Sequence, residues 1–255
     1  MIYLYGLLAP GAAPDAAALA QADGVTGPVR VAATPVGYLI FGDAPARDIL
    51  PKRRALLAHA RVLERCQEHG ALLPMRFGMV VEDLQEIIGT LAGNADALTA
   101  RLAFVEGHAE FGLRVNFSRK SALEATLAAD PALAADRRRL LSHARPPHFA
   151  TAEFGRRLAE ALDRRRGAVQ KSLAARLAPL CRAHVLATPE DDVQVLHMHA
   201  LVPPARAEGI ARLAQETAAM SGFAPDAEPE IRLVGPVPPF NFVQLTLETA
   251  RSVAA

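Results

Sequence analysis

The stretch that decides the fold is Leu72-Leu73-Pro74-Met75-Arg76-Phe77-Gly78-Met79-Val80-Val81, an apolar run that contains a proline, an arginine and a glycine. We predict a buried strand here, with Pro74 and Gly78 fixing its start. A buried guanidinium is strongly unfavourable unless a partner neutralises it and accepts its hydrogen bonds. Arg76 is therefore expected either to pair with a carboxylate such as Glu110 inside the fold or to reach a surface that a partner covers.

The composition is typical of a folded protein rich in helix. Of the 255 residues, 51% are hydrophobic, mainly alanine and leucine, and only 5% are aromatic, which favours Ala-rich helices over a β-sandwich. Cys66 and Cys181 lie far apart and form no C-x-x-C pair, as expected of a reduced, cytoplasmic setting. The apolar start of the chain is too short to span a membrane and lacks a basic flank, so we interpret it as a strand and not as an export signal.

Turn residues divide the chain up to residue 117 into strands and helices. Strands are predicted at 2–8, 29–33, 38–41, 72–81 and 111–117, and helices at 51–69, 82–91 and 95–105. The last of these strands has the clearest signal, because its apolar residues occupy every second position. This order predicts an α+β fold in which helices cover one face of a sheet, and we place a domain boundary between residues 117 and 118.

The part from residue 118 to residue 255 combines a long helix with further strands. An apolar stripe at helical spacing runs through Phe154, Leu158, Leu162, Val169, Leu173, Leu177 and Leu180. Such a long, narrow stripe is typical of a helical hairpin or a coiled-coil arm. The predicted elements that follow are a strand at 193–202, a helix at 205–220 and extended segments at 230–234 and 240–247. We therefore predict a second α+β domain with a long helical arm.

The helical arm is also basic. Residues 119–182 carry 14 Lys and Arg against 6 Asp and Glu, a net charge of +8, whereas the rest of the chain has a net charge of −7. This charge fits an acidic protein surface or a nucleic acid, but no aromatic residues are interleaved with it and no recognition motif accompanies it. A solvated helix face is the simpler interpretation, and we predict no nucleic acid partner.

His197 and His199 are the best candidates for a metal site. Residues two apart on a strand point to the same face and are able to share a metal ion. However, Val193, Val195 and Leu201 occupy that face, and no third ligand lies nearby in the sequence. Packed or partner-facing histidines are therefore the favoured interpretation.

Other catalytic signals are weaker still. Glu106, His108 and Glu110 are an acid–base candidate that a polar turn before a strand explains more simply. The serines lie in no G-x-S-x-G or S-x-x-K motif, and the glycines form no phosphate-binding loop. We predict no catalytic residue, no cofactor and no metal, which favours an interaction or assembly protein over an enzyme.

Several motifs, taken in chain order, resemble those of the gas vesicle protein GvpF/GvpL family. They are Tyr5-Gly6, His59, Leu73-Pro74-Met75-Arg76-Phe77-Gly78, Glu110–Phe117, Glu153-Phe154-Gly155-Arg156, Ala200-Leu201-Val202 and Gly235-Pro236-Val237-Pro238-Pro239-Phe240-Asn241-Phe242-Val243. The chain departs from the usual closing pattern at Val237 and Phe240, where the family often has an aromatic residue and a tyrosine. The resemblance covers nearly the whole chain.

The resemblance implies an accessory protein of gas vesicle assembly that is cytoplasmic and associated with gas vesicles. Its N-terminal domain is expected to be a modified ferredoxin-like sheet with helices, and its C-terminal domain an α+β domain with a coiled-coil feature. The expected partners are the small hydrophobic shell protein, bound by residues 1–117, and other gas vesicle accessory proteins. The candidates for a structural signature or for partner binding are Pro74, Arg76, Phe77, Gly78, Glu110, Pro239, Phe240 and Phe242.

Two other functions stay open at this point. The first is a small-molecule-binding regulatory module, because ferredoxin-like sheets often hold ligands between sheet and helices. The second is an enzyme that uses His197 and His199 with a metal. A shell subunit that exposes apolar surface and strand edges before it polymerises is compatible with a partner that covers them, so the assembly function is favoured.

Overall fold

The computed structural model describes residues 1–12, 14–15, 19, 24–244 and 247. The chain divides into two compact units. The first unit consists of Met1–Glu110 and the described residues from Pro236 onward, and the second unit is Phe111–Gly235. This division differs from a single boundary after residue 117, because the chain returns to the first unit after Gly235.

The sheet of the first unit is built around a central, buried strand. Its strands are β1 (Ile2–Leu8), β2 (Val29–Thr34), β3 (Gly37–Asp43), β4 (Leu72–Pro74) and β5 (Val80–Val81). They lie in the order β2-β3-β1-β4, and β5 also pairs with β1. The predicted hairpin of β2 and β3 is confirmed, with antiparallel pairing from Val29 opposite Gly42 to Thr34 opposite Gly37.

The strand predicted at 72–81 is broken in its middle. Both ends pair with β1, since Pro74 lies opposite Gly6 and Val80 lies opposite Tyr3. Two residues of β1 separate these pairing positions, whereas five residues separate Pro74 from Val80. The surplus leaves the sheet as a turn over residues 75–79, in which Gly78 has a φ of +85°. We call these five residues the Arg76 turn.

Three α-helices follow β3 in the first unit: α1 (Arg53–Gln67), α2 (Leu84–Gly93) and α3 (Ala95–Val105). All three were predicted from the sequence. The buried face of α1 carries His59, Val62, Leu63 and Cys66. Because α1 connects β3 to β4 on either side of β1, the unit contains the split β-α-β connection of ferredoxin-like folds.

The second unit repeats this strand order. Its helices are α4 (Arg119–Ala129), α5 (Pro131–Leu141), α6 (His148–Leu177) and α7 (Ala207–Ala219), and its strands are β6 (Ala109–Asn116), β7 (Ala183–Leu186), β8 (Gln194–Val202) and β9 (Glu230–Val237). The strands lie in the order β7-β8-β6-β9. The helix α7 connects β8 to β9 on either side of β6, as α1 does for β3 and β4. The sequence predicted β6, β8 and most of β9 but missed the short β7.

The long helix predicted in the arm is α6. The buried residues of its apolar stripe include Leu162, Val169, Leu173 and Leu177. It packs against α4, α5, α7 and β8, so several elements of its own unit cover the stripe, in contrast to the single partner helix of a two-stranded coiled coil. The arm is therefore a helical hairpin of α5 and α6. Within the described ranges, no helix has both the length and the apolar character needed to cross a membrane.

The chain after β9 forms a turn where the sequence predicted a strand. The backbone N–H of Phe240 donates to the carbonyl oxygen of Pro238 at 2.7 Å, and that of Phe242 donates to the carbonyl oxygen of Pro239 at 3.1 Å. These local bonds take the place of strand pairing, so the prediction is wrong over residues 240–244. Most of the remaining predicted strand lies outside the described residues.

Candidate functional site

An apolar groove of about 690 Å³ lies beside the Arg76 turn in the first unit. Its lining comes from β1, β4, the Arg76 turn, α2, α3 and the segment after β9. The described residues that line it are Leu7, Leu73, Pro74, Met75, Arg76, Met79, Leu91, Leu98, Val243, Gln244 and Leu247. Only Arg76 and Gln244 in this set are polar, so the groove offers an apolar surface with one positive charge at it.

A buried hydrogen-bond chain holds the Arg76 turn to the sheet. The backbone N–H of Gly78 donates to the Tyr3 hydroxyl at 3.3 Å. The same hydroxyl oxygen lies 2.8 Å from Nδ1 of His59. On the other side of the ring, Nε2 of His59 lies 3.1 Å from the carbonyl oxygen of Met75. A carbonyl oxygen only accepts hydrogen bonds, so Nε2 carries the proton and Nδ1 accepts from Tyr3. One neutral histidine thus connects two points of the turn.

Aromatic rings enclose this histidine. The Tyr5 ring stacks on His59 with 5.5 Å between ring centroids, and Phe77 contacts it edge-on at 5.7 Å. Tyr3 and Tyr5 are fully buried, and His59 is 4% exposed. Burial lowers the pKa of His59 and raises the pKa of Tyr3 to about 12, because a charge is poorly solvated there. Both groups therefore stay in the neutral forms that the hydrogen-bond chain requires.

Arg76 is exposed where it lines the groove. Among the described residues no carboxylate forms an ion pair with it, and the predicted pairing with Glu110 is wrong. The physical reason is that the guanidinium faces water, which solvates it without a partner, while the Glu110 carboxylate is buried and bound by Asn241. The buried pairing is therefore wrong, whereas the exposed position of Arg76 agrees with the other alternative, an arginine that reaches the surface.

Glu110 anchors the segment after β9. It is 2% exposed, and its carboxylate accepts hydrogen bonds from the backbone N–H of Asn241 at 2.9 Å and from the Asn241 side-chain amide at 2.5 Å. Arg101 also donates to the carbonyl oxygen of Phe242 at 3.4 Å. These contacts hold Val243, the next residue, where it lines the groove. Sequence reasoning missed this role of Asn241, although the residue lies inside a motif that was singled out.

The remaining candidate residues differ in their burial. Pro74 ends β4 and lines the groove together with Arg76. Pro239 and Phe242 are buried, whereas Phe240 is exposed. Phe240 is thus available to a partner, while Pro239 and Phe242 contribute to packing.

His197 and His199 lie side by side on β8 in the second unit, with ring centroids 5.2 Å apart. Burial and the positive charge of Arg114, which pairs with Glu190 at 2.9 Å, lower the pKa of His197. No three His, Cys, Asp or Glu side chains of the described residues are grouped so as to hold a metal ion. The positive charge of Arg114, which lowers the pKa of His197, also disfavours a metal cation at that ring.

The residues of the acid–base candidate Glu106, His108 and Glu110 take part in different hydrogen bonds. Nδ1 of His108 lies 2.7 Å from the backbone carbonyl oxygen of Glu106, within a local turn. Glu110, the third candidate, is bound by Asn241. The structure therefore supports a polar turn at Glu106 and His108, whereas Glu110 is buried within β6.

These features define a class: an α+β protein of two units, each with a split β-α-β sheet, whose first unit carries an apolar groove next to an exposed arginine. The chain belongs to the family of gas vesicle synthesis proteins GvpL/GvpF, whose family model matches residues 1–244. The resemblance inferred from the motifs is confirmed.

Individual relatives and solved structures agree with this assignment. The chain is 28% identical over 226 residues to gas vesicle protein F of a Streptomyces species, across 85% of this chain and 88% of that protein. It is 30% identical over 126 residues to gas vesicle protein F of Dolichospermum flosaquae, across 48% of this chain and 50% of that protein. Both relatives are named as gas vesicle proteins.

Two crystal structures share the fold. GvpF from Microcystis aeruginosa superposes with a TM-score of 0.71 at 21% identity, across 96% of this chain and 99% of that one. GvpF from an Anabaena species superposes with a TM-score of 0.78 at 20% identity, across 96% of this chain and 98% of that one. The arrangement of helices and strands is therefore common to all three proteins.

Proposed function

We propose that this protein is a non-catalytic accessory protein of gas vesicle formation that holds the small hydrophobic shell protein in the groove beside Arg76. Membership of the GvpL/GvpF family supports the role in gas vesicle formation. The observation that carries the rest of the proposal is the groove itself, with its apolar lining and one exposed guanidinium.

The chemistry of the groove suits an unassembled shell subunit. A subunit that will face gas carries apolar surface, which aggregates in water unless another surface covers it. The groove provides apolar cover on a rigid sheet and two helices. Arg76 adds a planar, permanently charged group that is able to bind a carboxylate of the subunit in a bidentate manner. The arginine would fix the orientation of the subunit, and the apolar lining would supply most of the affinity.

The strand β2 offers a second contact for the same partner. It lies at one end of the strand order in the first unit. An edge strand presents backbone groups to which an extended segment is able to add as a further strand. We propose that strand addition at β2 supplements binding in the groove. The same complex would form in the cytoplasm, at the growing vesicle, together with other gas vesicle accessory proteins and without any cofactor.

Capture of the shell protein by the full chain tests this proposal. We expect Arg76→Glu and Met79→Glu each to reduce capture at least tenfold, because both side chains line the groove and both are exposed. The matched controls are Arg53→Glu and Leu56→Glu, which place the same changes at exposed positions of α1. Folded Arg76→Glu and Met79→Glu variants that capture the shell protein like the wild type would contradict the groove assignment.

A small-molecule-binding regulatory module is the second candidate function. The observation in its favour is the volume of the groove, about 690 Å³, which lies within the range of small-ligand pockets. The groove chemistry predicts an amphiphilic carboxylate as the ligand. An increase in the melting temperature with such a compound, lost in Arg76→Glu, combined with normal shell-protein capture by that variant, would favour this function over the first.

A further inference from the structure

The connection between α5 and α6 exposes basic and apolar side chains together. From Arg137 to Phe149 the chain contains four arginines, two histidines and no carboxylate. Phe149 is 80% exposed and Leu141 is 74% exposed, the highest values among the large apolar side chains of the described residues. We call residues 137–149 the hairpin tip. Large apolar side chains that are exposed among several arginines are a feature of protein docking surfaces.

The positive charge of the hairpin tip is only partly neutralised within the protein. Asp136 accepts from Arg139 at 2.7 Å and also pairs with Arg157. By contrast, Arg137, Arg138 and Arg145 are exposed, and among the described residues none of the three has a carboxylate within ion-pair distance. Three guanidinium groups are therefore available to an external anion.

The hairpin tip is presented on a rigid base. Asp130 caps the start of α5 by accepting from the backbone N–H groups of Ala132 and Leu133 at 3.0 and 3.1 Å. Leu133 is buried in the core that α5 shares with α6. Within α5, Leu141 follows Arg137 by four positions and Arg138 by three, so all three side chains lie on one side of the helix. An apolar anchor is thus flanked by positive charges at fixed spacing.

We propose that the hairpin tip binds an acidic amphipathic segment of another protein. Its carboxylates would pair with Arg137, Arg138 and Arg145, and its apolar side chains would cover Leu141 and Phe149. The site lies in the second unit and does not depend on the groove beside Arg76. The charge pattern identifies the partner by its chemistry, because arginine forks match carboxylates and the apolar pair requires an apolar surface.

Two other classes of partner fit these observations less well. A nucleic acid would satisfy the arginines through its phosphates, but it would leave Leu141 in water and offer Phe149 only a base to stack on. Anionic lipids would pair with the arginines and a bilayer would take up Leu141 and Phe149, yet these two side chains provide less apolar surface than a single myristoyl chain, so they would contribute little to membrane affinity. A protein segment satisfies both the charges and the apolar groups.

Peptide binding to the full-length chain tests the proposal. The probe is a fluorescent 20-residue helical peptide with leucine on one face and glutamate on the other, and its comparison peptide has serine for leucine at the same net charge. We expect measurable binding of the first peptide, at least tenfold weaker binding of the second, and a decrease in affinity with added salt. Equal binding of both peptides would overturn the apolar part of the proposal.

Variants locate the binding site. Arg137→Glu/Arg138→Glu and Leu141→Ser/Phe149→Ser change only exposed side chains, so both are expected to fold, and circular dichroism checks this. Each should weaken binding of the leucine–glutamate peptide at least tenfold. The matched control is Lys171→Glu/Arg176→Glu, which makes the same change of charge on exposed positions of α6 away from the tip and should bind like the wild type. Equal effects of the control and the tip variants would overturn the proposal.

Two further probes separate the partner classes. Wild-type chain is mixed with phosphatidylglycerol vesicles and, separately, with a 20-nucleotide oligothymidine. We expect the peptide to bind more tightly than either probe at physiological salt. Tighter binding of vesicles or oligothymidine that the tip variants abolish would replace the protein partner with a membrane or a nucleic acid. Tip-dependent self-association in sedimentation would instead identify a second copy of this chain as the partner.

Discussion

Tyr3 holds the Arg76 turn through one hydroxyl group, which accepts from Gly78 and donates to His59. In Tyr3→Phe the buried Nδ1 of His59 and the N–H of Gly78 lose this partner. We expect the free energy of unfolding to fall by about 1–3 kcal/mol, the usual cost of an unsatisfied buried polar group. Urea denaturation measures this value. Tyr38→Phe, at a half-buried position of the same sheet, is the control and should change stability by about 0.5 kcal/mol or less.

His59 makes the stability of the protein depend on pH. The buried ring faces the Tyr3 hydroxyl, the Met75 carbonyl oxygen and the rings of Tyr5 and Phe77, and no charged side chain is among these contacts. Because burial lowers the pKa of His59, the unfolded chain takes up a proton below about pH 6.5 while the folded chain does not. Stability is therefore expected to fall as the pH drops from about 6.5 towards the folded-state value.

The test compares urea midpoints at pH 7.5 and pH 5. His59→Gln should be less stable than the wild type at pH 7.5 but should lose less stability on acidification. The pKa of His197 is also lowered, so some pH dependence should persist and should decrease further in His59→Gln/His197→Gln. An unchanged pH dependence in both variants would contradict the neutral hydrogen-bond chain.

Arg76→Lys separates a binding role from a structural one. The guanidinium is exposed and has no ion pair with a described carboxylate, so we expect the melting temperature to stay within the error of the measurement. Shell-protein capture should weaken, because lysine does not form a bidentate contact with a carboxylate. A clear decrease in melting temperature would instead indicate that Arg76 stabilises the fold, as a pairing with a carboxylate inside the fold would.

At the scale of residues, the sequence indicated which side chains are important better than it indicated what surrounds them. The apolar run around Arg76 correctly indicated a special position, because an arginine in such a run is unusual. The failure of the pairing with Glu110 was not predictable, because Glu110 instead binds Asn241, which lies 131 positions further along the chain. Which of two polar groups reaches a buried carboxylate depends on the tertiary path of the chain, and local spacing carries no information about it.

At the scale of elements, Gly78 determines the path of the Arg76 turn. Its φ of +85° is poorly tolerated by residues with a Cβ atom, so Gly78→Ala should destabilise the protein by about 1–2 kcal/mol even though nothing lies within 4 Å of the added atom. Gly89→Ala is the control, because Gly89 is an exposed residue of α2 with equally open space around it. This change should stabilise the protein by up to about 1 kcal/mol, and effects of the same sign would contradict the strain at Gly78.

Elements with a strong repeating pattern were predicted well, and elements that depend on pairing were not. The alternation in β6 and the stripe in α6 reflect one buried face, which is a local property of the sequence. By contrast, β4 and β5 form one apolar run that is interrupted because β1 offers too few residues to pair with all of it. The segment at 240–244 is also rich in apolar residues, but the prolines before it favour local turn bonds.

At the scale of the whole molecule, the two sheets have the same strand order, although no repeat is visible in the sequence. The order depends on which strands pair and on the helix that crosses between them, and many different sequences satisfy both requirements. For the same reason, the sequence did not show that the chain returns to the first unit after Gly235. In the returning segment, Asn241 donates hydrogen bonds to Glu110, which lies 131 positions earlier in the chain.

A shortened chain tests this division. A chain ending at Gly235 lacks Asn241 and the buried Phe242, so amide hydrogen exchange in β1 and β3 should accelerate, while exchange in β8 should stay close to that of the full chain. A chain ending at Leu247 is the control and should keep the protection of β1. Unchanged exchange in β1 of the shorter chain would show that the first unit does not need this segment.

The return of the chain to the first unit also determines when the groove is completed during synthesis. Val243, Gln244 and Leu247 line the groove. They leave the ribosome after the entire second unit, because they follow it in the sequence. Domains generally fold in the order of their synthesis, but the groove of the first unit is complete only after the second unit has been made. Under the proposed function, a nascent or prematurely terminated chain would lack one wall of the groove. Only finished molecules would then hold shell subunits, so incomplete translation products would not compete for them.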